Sequence, residues 1–176
     1  MTAQPIVRAA RPEEYDLLGE LVVGAYRSVG SDDEEYEPHL RDVAGRAGTA
    51  EVLAVEVDGR TVGTATLVPP GAPMAEVTDH AAATIRMLAV DAGARGMGAG
   101  EALVRACIDR ARDLGTERVR LHTEPFMTAA RRLYERLGFE RDPEHDLAFE
   151  PDIVLLAYVL ELRVQAPAEG ASPAEG

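Results

Sequence analysis

Apolar and polar positions along the chain alternate with two different periods, and the switches between them divide it into strands and helices in mixed order. Ile6–Ala9 reads as a short strand. Leu17, Leu18, Leu21, Val22 and Ala25 then recur at three- and four-residue steps, the inner stripe of a helix starting near Pro12, where a missing N–H costs nothing. Residues 30–37 break the stripe and carry Asp32, Asp33, Glu34 and Glu35, so a loop is expected there and a second helix over 38–46. The runs 52–57 and 61–68 flank Asp58-Gly59, a dipeptide that tolerates the positive φ of a tight hairpin turn. Pro69, Pro70, Gly71 and Pro73 then open a loop to about residue 83.

The second half repeats the alternation. Residues 85–90 form an apolar run broken only by Arg86, a strand buried over most of its surface. Turn residues follow, and then Leu103, Ala106, Cys107, Ala111 and Leu114 mark a helix that Gly115 closes. A strand over 117–123 leads to a helix over 128–137 with Ala130, Leu133, Tyr134 and Leu137 inward. Gly138 ends it, and strands are expected at 139–141 and 153–162. The last eleven residues are only Pro, Ala, Glu, Gly and Ser. Such a composition cannot offset the entropy of ordering. The expected organisation is one domain over 5–163 between disordered segments at 1–4 and 164–176.

Gly96, Gly98 and Gly100 fall at a strand-to-helix junction, and this gives the chain its first chemical signature. The first N–H groups of a helix have no internal acceptors and carry partial positive charge, while glycine removes the Cβ that would keep an anion off the backbone. Phosphate or pyrophosphate suits that junction, with Arg95 beside it as a fixed cation; a merely structural tight turn is the alternative. The dinucleotide fingerprint is not met, because Glu101 stands where its third glycine belongs. A Walker loop needs a lysine, and the chain contains none.

Composition narrows the partners. With 176 residues, 46% of them apolar, the chain suffices for one well-buried domain. Its single cysteine, Cys107, falls on an apolar stripe and reads as a core residue, consistent with a reducing cytoplasm. No N-terminal leader pattern and no apolar stretch near the ~20 residues of a membrane span occur, so no membrane role is expected. The net charge of −13 opposes nucleic acid and anionic lipid and would favour a cationic substrate.

The glycine turn after a strand, followed about 35 residues later by Leu133-Tyr134-Glu135-Arg136-Leu137-Gly138-Phe139, resembles the GNAT superfamily of acetyl-CoA-dependent N-acetyltransferases. The resemblance covers roughly 5–163. Arg95, Gly98 and Gly100 fill its phosphate motif, and Ala130, Leu133, Tyr134, Leu137, Gly138 and Phe139 fill the second. It implies a mixed α/β fold whose central sheet, mostly antiparallel with about six to seven strands, is flanked by about four helices. It further implies that the segment Arg95, Gly96, Met97, Gly98, Ala99, Gly100 and Glu101 holds the coenzyme A pyrophosphate, its N–H groups from Met97 to Glu101 donating. Leu88, Ala89 and Val90 would run beside the pantetheine arm, a strand N–H near Leu88 polarising the thioester carbonyl. Ala130 belongs to the same contact region. Many members carry an Asn where this chain has Met127, which offers only a soft apolar contact.

By the same resemblance Tyr134 is the candidate acid for the departing thiolate, since a phenol with pKa of about 10 stays protonated at neutral pH; a tyrosine packed in the core is the alternative. Glu124 and His122, at the end of a strand, and Glu76 and His80, in the preceding loop, are candidates for moving the amine's proton, each also readable as a solvated loop residue. Thr84 and Arg86 flank the same cleft without being plausible bases. The acidic run 32–35 could recognise a cationic amine or be an ordinary solvated face. The implied activity is acetyl transfer from acetyl-CoA to a primary amine of a small molecule or peptide, without metal or nucleic acid, by a monomer or homodimer. A non-catalytic acyl-CoA-binding module is the second reading.

Overall fold

The structure, a computed structural model, describes residues 3–30, 33–75, 79–149 and 153–162. The segments expected to be disordered lie largely outside these residues; Ala3 packs against the main core. Eight strands form the sheet: β1 (Ile6–Ala9), β2 (Glu51–Val57), β3 (Arg60–Val68), β4 (Ala82–Val90), β5 (Arg118–Thr123), β6 (Glu140–Arg141), β7 (Leu147–Phe149) and β8 (Ile153–Glu161). Five α-helices cover it: α1 (Tyr15–Ser28), α2 (Glu37–Arg41), α3 (Val43–Ala47), α4 (Ala99–Asp113) and α5 (Thr128–Arg136). Short 3-10 turns stand at Pro12–Glu14, Ala92–Ala94 and Pro143–His145.

The sheet order is β1-β2-β3-β4-β5-β8-β6, with β7 paired to β8. Every pairing is antiparallel except β4 with β5, which run parallel with α4 as the crossover between them. Helices cover both faces, so in β2 the four consecutive residues Val52, Leu53, Ala54 and Val55 are all buried. Leu53 and Val55 join the main core with Leu67, Ile85, Leu103, Val104, Val119, Leu121 and Tyr134 under α4 and α5. Val52 and Ala54 pack on the other face with Leu18 of α1 and Val43 of α3. Beside them Val22, Val23 and Leu40 meet Met87 and Ala89 of β4.

The single helix expected over 38–46 is two helices. At Asp42 the backbone leaves the helical region (φ −76, ψ 63), and its carboxylate accepts the Gly45 N–H at 2.9 Å, capping α3. β4 starts at Ala82, three residues before the apolar run suggested, because Ala82–Thr84 pair with Arg118–Arg120. β7 has three residues, too few for alternation to announce it. Among the described residues no helix is long and apolar enough to cross a membrane.

Candidate active site

β4 and β5 are held together only at their start. Ala82, Ala83 and Thr84 pair with Arg118, Val119 and Arg120, after which β5 continues with β8 as far as Thr123 opposite Leu156. β4 continues with β3 alone, Gly63 facing Val90 and Thr64 facing Ala89. The sheet therefore forks, and among the described residues the β4 edge facing β5 is free of a strand neighbour from about residue 85 onward. Near the fork the β3–β4 register slips between Thr64 and Thr66, and Met87 adopts φ 53. A bulge leaves its extra residue out of the ladder, and a positive φ in a non-glycine residue is local strain of the kind held at working sites. Its effect is directional: Met87 faces α1 and α2, whereas Leu88 and Val90 lean on the main core.

The glycine turn lies where the fork opens. Asp91 accepts the Gly93 N–H at 3.2 Å and starts the 3-10 turn, after which Arg95, Gly96, Met97 and Gly98 are exposed. Gly98 is the N-cap of α4 with φ 81, and the first helical bond runs from the Ala102 N–H to the Gly98 carbonyl at 3.0 Å. Helix geometry thus leaves the N–H groups of Ala99, Gly100 and Glu101 without an intrahelical acceptor. The Met97 N–H turns back toward the Ala94 carbonyl at 3.4 Å. α4 begins at Ala99, ahead of the start its apolar stripe marks. The Glu101 carboxylate sits in that first turn, and hydrogen bonds from Arg105 (2.9 Å) and Arg136 (3.2 Å) hold its pKa down.

Tyr134 lies on the α4 side of the fork, in the main core. Its ring is 5.9 Å from that of Phe139 and 6.2 Å from that of Tyr158, centroid to centroid. Burial pushes its phenol up to about 12, and its hydroxyl makes no hydrogen bond among the described residues. Neighbouring Cys107 is buried and its thiol is also pushed up to about 12, that of an inert core residue. Ala130 packs against the same core, while Met127 is the half-open N-cap of α5 and makes no side-chain cap bond.

The candidate bases occupy the other face. Arg118, Arg120 and His122 alternate with the core residues Val119 and Leu121 and the buried Thr123. Arg120 is bound by Asp79 (2.6 Å) and Asp142 (2.5 Å), and His122 Nε2 lies 3.0 Å from the His145 carbonyl oxygen. His122 is thereby tied to the turn before β7. Glu124, just past β5, is half-buried, and burial raises its pKa above the usual carboxylate range. It is close enough to Tyr26 for its charge to help raise that phenol. His80 is exposed, Thr84 is buried with an unpartnered hydroxyl, and Glu76 lies outside the described residues.

A cavity of about 450 Å³ opens on this second face between α2, α3 and β4, lined among others by Tyr36, His39, Arg46, Met74, Arg86 and Met87. Among the described residues of the acidic run, 33–35, none lines it. Asp32 lies outside the described residues, and Asp33 is taken up by the N–H groups of Glu35 and Tyr36 at 3.1 and 3.2 Å. Arg46, Tyr36 and His39 carry no motif and were not visible as site residues in the sequence. Among the described residues no group of His, Cys, Asp or Glu is gathered as for a metal ion.

The family model described as "Acetyltransferase (GNAT) family" matches residues 15–139. A mycothiol acetyltransferase from Sanguibacter keddieii is 36% identical over 141 residues, 77% of this chain but 43% of that protein. One from Beutenbergia cavernae is 44% identical over 64 residues, 36% of this chain and 22% of its own length. The chain thus spans less than half the length of these relatives. The fold is shared with a GNAT-family acetyltransferase from Staphylococcus aureus Mu50, with TM-score 0.73, 17% identity and coverage of 90% of this chain and 99% of that one. It is shared equally with a Salmonella typhimurium protein solved with its cofactor acetyl-CoA, with TM-score 0.69, 20% identity and coverage of 97% and 98%.

Proposed function

Because the chain belongs to the GNAT acetyltransferase family, we propose that it is an acetyl-CoA-dependent N-acetyltransferase acting on a primary amine. The observation that carries this is the fork between β4 and β5, with the glycine turn at its mouth, Tyr134 on one face and Glu124 on the other. The exposed turn at Gly98 and the unpartnered first N–H groups of α4 fit a pyrophosphate, and the free β4 edge fits an extended amide-bearing arm laid along it. Acetyl-CoA supplies the thioester. The remaining work falls to groups of this chain.

The N–H groups of Ala99, Gly100 and Glu101 bind the pyrophosphate, with Arg95 free to add its charge. A β4 N–H at the Met87–Leu88 bulge points dipole positive at the acetyl carbonyl, an interaction that strengthens as charge develops there. An amine of pKa near 10.4 is neutral in roughly one molecule in a thousand or fewer at pH 7, so a group must take its proton. Glu124, with its raised pKa, is that group directly or through water, and His122 serves the turn at 143–145 instead. Tyr134 donates a hydrogen bond to the departing sulfur. With its phenol at about 12 against a thiol near 8.5, full transfer is uphill unless it is coupled to the proton leaving the amine.

Thiol release from acetyl-CoA with a panel of amines, run beside calorimetric binding of acetyl-CoA, tests the reading. Turnover with any amine supports it. Tight binding without turnover on any acceptor would make the chain a binding module, and failure to bind acetyl-CoA would remove both readings. The match to the mycothiol acetyltransferase relatives supports acetyl transfer and, spanning 43% and 22% of their lengths, does not extend to their acceptor.

A further inference from the structure

Building on the acetyl-transfer reading, we propose that the cavity between α2, α3 and β4 is the acceptor subsite and that the acceptor amine carries a negative group, carboxylate or phosphate, received by Arg46 and Arg86. At about 450 Å³ the cavity is of small-molecule size. Among the described residues most arginines of this chain are paired with acids, whereas the two guanidiniums of the cavity are not. Acids outnumber bases 31 to 18, and arginines such as Arg8, Arg41, Arg118 and Arg120 are taken up by carboxylates. Among the described residues neither Arg46 nor Arg86 forms an ion pair.

Arg46 is only 5% exposed. Its Nη1 donates to the His39 and Leu40 carbonyls at 2.8 and 3.0 Å, and its buried Nε has no hydrogen-bond partner among the described residues. Arg86 Nη1 donates to the Met74 carbonyl at 3.2 Å. Burial chiefly works against the Arg46 charge, and the nearby Arg86 cation adds to this in a minor way. Among the described residues Asp42 is the acid that lines the cavity; it favours the Arg46 charge from a distance while its carboxylate accepts the Gly45 N–H. Burying a guanidinium without a directly bonded counter-charge is costly, and an entering anion relieves that cost. The planar forks of two arginines suit carboxylate or phosphate oxygens.

The cavity also meets the chemistry. Arg86 and Met87, both lining it, stand at the bulge beside the fork. Tyr26 is within electrostatic range of Arg46, Arg86 and Glu124 alike, so the cations and the proposed base are disposed around one side chain. An amine directed at Glu124 with its anionic group on the arginines spans this region. The negative net charge, which by itself favours a cationic acceptor, is thus reversed locally.

The test separates acceptor choice from turnover. The whole chain with coenzyme A bound is titrated calorimetrically with the twenty common L-amino acids, their carboxamides, phosphoethanolamine and spermidine. The same panel is assayed for thiol release from acetyl-CoA. The best ligand should be a carboxylate or phosphate amine, the arms telling which, and removing its charge as the carboxamide should weaken binding by about 30-fold. Arg86→Gln should raise KM for that acceptor by about 10-fold or more with kcat nearly unchanged, the pattern of lost uniform binding. Arg46→Lys, which keeps the charge and loses the fork, should raise KM in the same direction, while any fall in melting temperature reports its lost bonds to the His39 and Leu40 carbonyls. Preference for spermidine, equal use of acid and carboxamide, or no binding of any acidic amine overturns the inference and leaves acetyl transfer untouched. Binding of an acidic amine that Arg86→Gln abolishes, without thiol release, upholds the inference and removes the enzyme reading.

Discussion

The Arg136 guanidinium meets the Glu101 carboxylate at 3.2 Å, joining the last turn of α5 to the first turn of α4. An acid there suits the helix dipole in the free protein but opposes a pyrophosphate arriving at the same N–H groups. Arg105 and Arg136 together offset that opposition. Arg136→Gln is therefore expected to weaken acetyl-CoA binding by about 2- to 5-fold at low salt, with the effect fading as salt screens it. Glu101→Gln added to it should restore the affinity. Calorimetry on both variants checks this, and an equal loss in the double variant would mean that Arg136 acts on the ligand directly.

Gly98 and Gly100 are glycines for different reasons. Gly98 holds φ 81, where an L side chain costs about 1–2 kcal/mol. Gly100 is helical, and a Cβ there would lie 3.8 Å from Val90 Cγ2 and 3.9 Å from Leu133 Cδ2, in ordinary contact. Gly98→Ala should lower both stability and acetyl-CoA affinity. Gly100→Ala should raise stability by up to about 1 kcal/mol through helix propensity and keep affinity within a few-fold. Denaturant unfolding paired with calorimetry separates them; matched losses in both variants would remove the distinction.

These features differ in how far the chain announces them. The glycine turn, the stripe of α4 and the Tyr134 helix are local patterns, each carried by residues a few positions apart, and they were legible. The cavity was not, because Arg46 and Arg86 are forty positions apart and meet only through the packing of α3 on the sheet. Met87 gave no signal either: its positive φ is imposed by the register slip against β3, where a glycine would have advertised it. Asp42 carries a local cap signal, but it falls inside the segment 38–46 that reads as one continuous helix.

Glu14 fastens β1 to its neighbours. Its carboxylate accepts hydrogen bonds from Arg8 at 2.6 Å and Thr61 at 2.8 Å, and Arg8 also reaches Glu56 at 2.7 Å. The Arg8 hydrogen bond chiefly holds the Glu14 pKa at about 2, below the unfolded value near 4.3. The ionised form is favoured by folding, so this stability is present above the unfolded pKa and is lost as pH falls toward 2. Glu14→Gln should cost on the order of 2 kcal/mol at pH 7, with the gap closing in acid. Urea unfolding across that range measures it, and a gap independent of pH would assign the effect to packing.

For Glu124 the sign runs the other way. Burial disfavours its carboxylate, so ionisation costs stability as pH rises through its raised pKa. Glu124→Gln should hold or raise the melting temperature at pH 7 while lowering kcat by about 10- to 100-fold. It should also remove the acidic limb of the kcat profile, since the wild-type base works only when ionised. A profile that keeps this limb in the variant would assign the proton to another group.

Tyr134 offers the cleanest separation of packing from chemistry. Its ring fills the core between Phe139 and Tyr158, so phenylalanine keeps the packing, and its hydroxyl has no hydrogen bond to lose among the described residues. Tyr134→Phe should leave stability and acetyl-CoA affinity nearly unchanged. If the hydroxyl meets the departing sulfur, kcat should fall by about 100-fold. With the phenol at about 12, no basic limb from Tyr134 is expected below pH of about 10, so its role shows in the rate and not in the pH profile. The measurement must be made where acetyl transfer itself limits turnover, by single-turnover thiol release. An unchanged single-turnover rate would leave Tyr134 as a core residue and pass the sulfur's proton to water in the fork.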